Sequence, residues 1–265
     1  MYDELFHQLS IWLVGIIVLI VFLASLELGY RVGFSRRELW KGADSSGQYI
    51  LASLFALLGL ILAFTYGAGV SRFDASKKAI TLEANAIRIA YFRANLAVEP
   101  ERTELKQALL DYARTRIVEQ QIKITPERFQ ELVQKSLQAQ SKVWFVTEKI
   151  VKKGAHDIFV PPMLINAANQ VSTVYTTRLT ASRDRLPTAV LIMLLLVAMT
   201  SLSVAGFSAG VMGQLNRTRM TAFTIVLAGV MFIIYDFDQP HHGFIRINQE
   251  NISSLIIEME ADLVQ

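Results

Sequence analysis

Carboxylates and imidazoles come together at one place in this chain, Asp236-Phe-Asp238-Gln-Pro240-His241-His242-Gly243. The oxygen and nitrogen donors of Asp236, Asp238 and His241 could hold one divalent cation, but their spacing matches no established metal motif. A structured turn, with the aspartates accepting backbone or arginine hydrogen bonds, accounts for the same residues without an ion. No metal and no other cofactor is therefore expected. The chain has no cysteine, which removes disulfides, thiolate metal sites and cysteine nucleophiles. It carries no Ser–His–Asp ordering, phosphate-binding loop or helical metalloprotease motif. The sequence does not read as an enzyme.

A second group of candidates is cationic. Arg72, Lys77 and Lys78 open the segment 71–186, and Arg178, Arg183 and Arg185 close it. Together they could form a basic collar at a membrane surface, a vestibule that concentrates inorganic anions at an opening. Contact with lipid headgroups is the plainer reading. Glu83, Asn85, Tyr91 and Arg93 follow on the outgoing part of the segment, with Asn166 and Asn169 on the returning part. These are candidates for hydrogen bonds between helices.

Composition dictates what must position these residues. Of 265 residues, 52% are hydrophobic and 18% charged, and the mean hydropathy is +0.37. Soluble domains average about 45–50% and about 25%. The excess is concentrated in uncharged runs at Leu9–Leu26, Ser45–Ser71, Leu186–Asn216 and Met220–Tyr235. A bilayer needs about 20 mainly apolar residues per helix. The runs predict four spans, at 9–28, 49–70, 188–212 and 219–236, and exclude a soluble enzyme, a secreted module and a nucleic-acid binder. The N-terminal flank carries Asp3 and Glu4 and no cation, so the first run reads as a retained span and not as a signal peptide.

Between the two hairpins lies a helical insert. From Ser71 to about Leu96 there is no Gly or Pro, so span two is expected to continue unbroken into water. Pro100, with Glu99 and Glu101, restarts a helix whose apolar stripe is Leu105, Leu109 and Tyr112. Thr125-Pro126-Glu127 repeats the start signal, and Lys152-Lys153-Gly154 is a stop signal. Pro161-Pro162 opens a further helix with the stripe Leu164, Ala168, Val171, Tyr175 and Leu179. These helices are expected to run about 22–28 residues, roughly 33–42 Å each. Phe244–Ile247 is the one segment with an extended pattern, and Asn251 is expected to cap a short amphipathic helix at the C-terminus. The fold class is all-α: a polytopic membrane protein with four transmembrane helices and a long-helix extramembrane bundle between spans two and three. The domains are 1–70, 71–186, 187–237 and 238–265.

Charge separates these segments. Residues 71–186 carry a net +7 and the tail 236–265 a net −5, so the tail is expected to dock on the insert, within a chain or between subunits. The two short connections carry six Lys/Arg (Arg31, Arg36, Arg37, Lys41, Arg217, Arg219), whereas Arg246 is the one cation in the terminal flanks. The positive-inside rule then keeps the short connections in the cytoplasm, with insert and termini periplasmic to a bacterial inner membrane.

Inside the bilayer the spans carry no ionisable group near their centres. A coupled pump or carrier needs one, so a passive pathway fits better. Small residues recur at helical spacing: Ala52, Ala56, Gly59, Ala63 and Gly67 in span two, and Ser201, Ala205, Ala209 and Gly213 in span three, beside the pair Gly206 and Gly210. Such stripes let helix backbones approach closely, either within one subunit or at a subunit seam or pore wall.

The segment Arg72–Arg93, with Glu83-Ala-Asn85 and Tyr91-Phe-Arg93, resembles bacterial bestrophin-like membrane proteins. So do Asn166, Arg185-Leu-Pro187 and the Asp236-x-Asp238-x-Pro240-x-x-Gly243 motif, in which Gln239 and His241 replace the family's usual arginines. The resemblance covers the chain from end to end. It implies an oligomeric, passive ion pathway, because bestrophins are pentameric anion channels, and it implies cytosolic termini, opposite to the charge count. The expectation is a homo-oligomeric membrane protein in contact with lipid that passes an inorganic anion. The alternative is a non-conducting scaffold or sensor whose helical domain binds a partner.

Overall fold

The structure, a computed structural model, describes residues 11–39, 46–117, 126–153, 158–213, 216–238 and 247–264. His241 lies outside these residues, as does the expected extended segment at 244–247 except for Ile247. Among the described residues there are eight α-helices and no strand. They are α1 (Ile11–Ser35), α2 (Ser46–Ala94), α3 (Glu101–Thr115), α4 (Pro126–Lys153), α5 (Val160–Arg183), α6 (Thr188–Met212), α7 (Arg217–Phe237) and α8 (Glu250–Val264). Four stretches are long and apolar enough to cross a membrane, and they contain α1, α2, α6 and α7. The protein is an all-helical membrane protein.

The chain forms two compact units, Met1–Phe73 with Arg185–Ile245, and Asp74–Asp184 with Arg246–Gln265. The first is the membrane unit. Phe22, Leu26, Leu58, Leu194, Leu202, Leu227 and Ile234 fill its core. Rings join its helices: Trp12 stacks on Phe232 at 5.5 Å, and Phe55 meets Phe223 edge-on at 5.2 Å.

Span one was expected to end near residue 28, with Gly29 opening a loop. Instead α1 continues to Ser35, helped by the Glu27–Arg31 ion pair at 2.9 Å. This places Gly29 and Gly33 on the helix, opposite Gly206 and Gly210 of α6. A Cβ on Gly206 would stand 2.1 Å from the Leu26 carbonyl oxygen, and one on Gly29 would stand 2.1 Å from that of Ser203. The two glycine pairs bring the backbones into direct contact, and Ser203 Oγ donates to the Ser25 carbonyl at 3.2 Å. Gly206 and Gly210 of span three therefore form a helix–helix seam within one chain, whereas Gly213, at φ +68° just past the helix, has no described neighbour within 4 Å of a built Cβ.

In the second unit α2, α3, α4, α5 and α8 pack around Ile87, Leu109, Tyr112, Leu164, Val171, Ile252 and Leu255, all at most 2% exposed. As expected, α2 runs without a break for 49 residues. Helices α4 and α5 have 28 and 24 residues, within the expected range. Helix α3 has only 15 and stops at Thr115. Arg116 leaves the helix there, which frees both its side chain and its carbonyl for partners on other helices. At α8 the N-terminal acceptor is Asn248, whose Oδ1 takes the Glu250 N–H at 2.8 Å, while Asn251 bonds Thr81 instead. The acidic tail docks within its own chain: Arg88, Arg114 and Lys106 pair with Glu258, Glu260 and Asp262 at 3.0, 2.7 and 2.7 Å.

Candidate functional site

Three charged residues sit where the helical stripes require apolar ones. On α2 the buried positions Ile80, Ala84 and Ile87 flank Glu83. On α3 the stripe Leu105, Leu109 and Tyr112 leads at the same spacing to Arg116, and on α5 Val171 and Tyr175 lead to Arg178. The fold brings these three together. Glu83, with 0% exposure, accepts from Arg178 Nη1 at 2.5 Å on one oxygen. Its other oxygen accepts from Arg116 Nε at 2.7 Å and from the Tyr112 hydroxyl at 2.9 Å. Arg116 also donates to Ser136 Oγ at 3.0 Å, and Arg178 donates to the Arg116 carbonyl at 3.2 Å. The guanidinium of Arg116 lies over the Tyr175 ring, 4.9 Å from its centroid.

One buried carboxylate thus faces two guanidiniums. Burial lowers the pKa of Arg178, opposed by the charge of Glu83. Burial, then the Glu83 charge, pushes the Tyr112 hydroxyl far above its ordinary range, and burial also raises Tyr175. Both phenols stay protonated at neutral pH and can donate.

Arg178 does not take its expected place in a basic collar at a membrane surface; it is 7% exposed and bound to Glu83. The cause is that position 178 falls on the buried stripe of α5, after Val171 and Tyr175. Lys77 and Lys78 are exposed, and so are Arg183 and Arg185. Arg183 lies over the Phe129 ring at 5.5 Å. Arg72 is half-buried and reaches the Ala68 carbonyl at 3.5 Å. Tyr91 donates to Asp262 at 2.8 Å and to the Met259 carbonyl at 3.1 Å, so it holds α8. Arg93 donates to the Met163 carbonyl at 3.2 Å, and Asn85 and Asn166 are exposed. Asp236 and Asp238 are buried, and Asp238 Oδ1 takes the Leu186 N–H at 2.6 Å, the structured-turn arrangement.

The other small-residue stripe has a different fate from that of α6. Ala52, Ala56, Gly59, Ala63 and Gly67 of α2 are all exposed, and among the described residues no atom beyond the helix's own backbone lies within 4 Å of a Cβ built on Gly59 or Gly67. Phe64 beside them is 71% exposed. Only 11% of the most apolar window of α2 is buried by the rest of the chain, against 33% for α7.

A family model described as the Bestrophin-like domain matches residues 8–252. No curated protein matches the chain in sequence. Among solved structures, a bacterial Bestrophin homolog from Klebsiella pneumoniae is similar, with a TM-score of 0.68 at 11% identity, over 93% of this chain and 98% of that one. Two single-residue variants of that homolog give TM-scores of 0.70 and 0.69 at 11% and 10% identity, covering 97% and 94% of this chain and 99% of each variant. At such identities the likeness is one of fold.

Proposed function

This chain belongs to the Bestrophin-like domain family, and from that premise we propose that it is a homo-oligomeric, passive channel for an inorganic anion, with α2 facing the pathway or the neighbouring subunit. The observation that carries this reading is the uncovered small-residue face of α2. A span whose backbone is bare on one side, within a unit that closes its other glycine seam internally, suits contact with further copies or a narrow lumen. The absence of ionisable groups in the middle of the spans supports passive flow over coupled transport. Exposed Lys77, Lys78, Arg183 and Arg185 would supply cationic potential at the mouth. On the charge of the short connections, those connections lie in the cytoplasm and the second unit lies outside.

Two measurements test the proposal. Purified protein viewed down the membrane normal should show a ring of identical subunits around an opening, and vesicles containing it should release chloride passively. A monomer, or a ring without flux, favours the non-conducting scaffold. Because the chain has no native cysteine, single cysteines at residues 40 and 130 can be labelled from either side. The charge count expects opposite sides, with residue 130 reached from outside.

A further inference from the structure

The Glu83 cluster has one donor too many and one charge too many. Glu83 accepts from Arg116, Arg178 and Tyr112, and the Tyr175 hydroxyl is not among its donors. Yet the Tyr175 hydroxyl is buried with no hydrogen-bond partner among the described residues, and the residue is 4% exposed. On Glu83 itself, 0% exposed, the side chains of Arg116 and Arg178, 12% and 8% exposed, set two positive charges against one negative. A buried polar hydrogen without an acceptor is costly and calls for an occupant such as a water or an ion. An excess positive charge in the same enclosed place selects between the two, because a neutral water satisfies the hydroxyl but leaves the charge.

We propose that the Tyr175 hydroxyl of α5 and the Arg116 guanidinium, just past the end of α3, hold a small monovalent anion of halide size. The anion accepts from the phenol and offsets the excess charge of the two arginines on Glu83. Its charge is set by the single uncompensated guanidinium. By contacting both Arg116, at the end of α3, and Tyr175, it ties the two helices that already grip α2 through Glu83. The site would make the stability of the second unit depend on halide concentration. It does not require that the protein conduct.

The test uses the full-length protein in detergent, titrated with sodium bromide against sodium gluconate at matched ionic strength. Bromide is expected to raise Tm along a saturating curve, while gluconate leaves it flat. Tyr175→Phe, which keeps the ring under Arg116 and removes only the hydroxyl, should lose the saturating component. Crystals soaked in bromide should show an anomalous peak beside the Tyr175 hydroxyl. Equal Tm in the two salts, an undiminished response in Y175F, or a bromide peak elsewhere and none at Tyr175 overturns the proposal. Should Y175F fail to fold, the anomalous map of the unaltered protein decides alone. Flux is not among the readouts, so a failed channel assay leaves this result independent.

Discussion

Glu83 and Arg178 are 95 residues apart in sequence and 2.5 Å apart in space, and neither side chain is more than 8% exposed. Removing one partner of such a pair leaves a buried charge, at a typical cost of about 3–5 kcal/mol. Glu83→Gln should reach the upper part of that range, since it strands two guanidiniums at once. Glu83→Gln combined with Arg178→Met should recover part of the loss. Chemical unfolding followed by circular dichroism measures both, and a single variant within about 1 kcal/mol of the parent would contradict the burial of the cluster.

The glycine seam between α1 and α6 makes a second, sharper demand. At Gly206 the atom in the way is backbone, the Leu26 carbonyl oxygen, and cannot rotate aside. Gly206→Ala must therefore push the helices apart, at a cost of about 1–3 kcal/mol. The expected readout is a lowered Tm in detergent, with Gly229→Ala, which meets open space, as the neutral control.

On α2 the expectation reverses. Gly59→Leu adds a side chain where the subunit offers no contact, so the stability of a single subunit should change by no more than about 0.5 kcal/mol. Chloride flux or oligomer size should nevertheless change several-fold. An unaltered oligomer with unaltered flux would remove α2 from both seam and lumen.

Acid should release the C-terminal helix. The Asp262 carboxyl is held below its ordinary range by the hydrogen bond from Lys106 and next by that from Tyr91. A carboxyl with a depressed folded pKa contributes stability that is present above its unfolded value of about 3.9, and that is lost as pH falls through the folded one. A spin label at Val264, which is 88% exposed, should thus gain mobility below about pH 4, whereas Asp262→Asn should be mobile already at neutral pH. A label equally ordered at every pH would show that Ile252, Leu255 and Met259 hold α8 without the ion pairs.

Local signals were legible where the physics is local. The unbroken α2 follows from the absence of Gly and Pro between residues 71 and 96, and the starts of α4 and α5 follow from Pro126 and Pro161-Pro162. Gly29 and Gly33 were hidden because glycine beside Arg31 and Arg36 reads equally as a loop; only the facing pair at 206 and 210 makes them a seam. Arg178, Arg183 and Arg185 look alike in sequence, and the tertiary fold alone buries the first. A finer signal was available there. Glu83, Arg116 and Arg178 each continue an apolar stripe at its own spacing, and a charge on a buried stripe requires a partner from another helix. The hydroxyl of Tyr175 left no trace, because its ring is a normal member of such a stripe.

Gly29 and Gly33 meet Ser203 and Phe207 in the same order along both helices, so α1 and α6 run parallel, and a parallel neighbour cannot be the next helix made. During synthesis α1 enters the lipid about 180 residues before the surface that fits its groove exists. At roughly 5–20 residues per second that is an interval of roughly 9–36 seconds. Through that time the bare backbone of α1 must be shielded by lipid tails or by the insertion machinery, so the ribosome's pace becomes part of how this molecule is assembled.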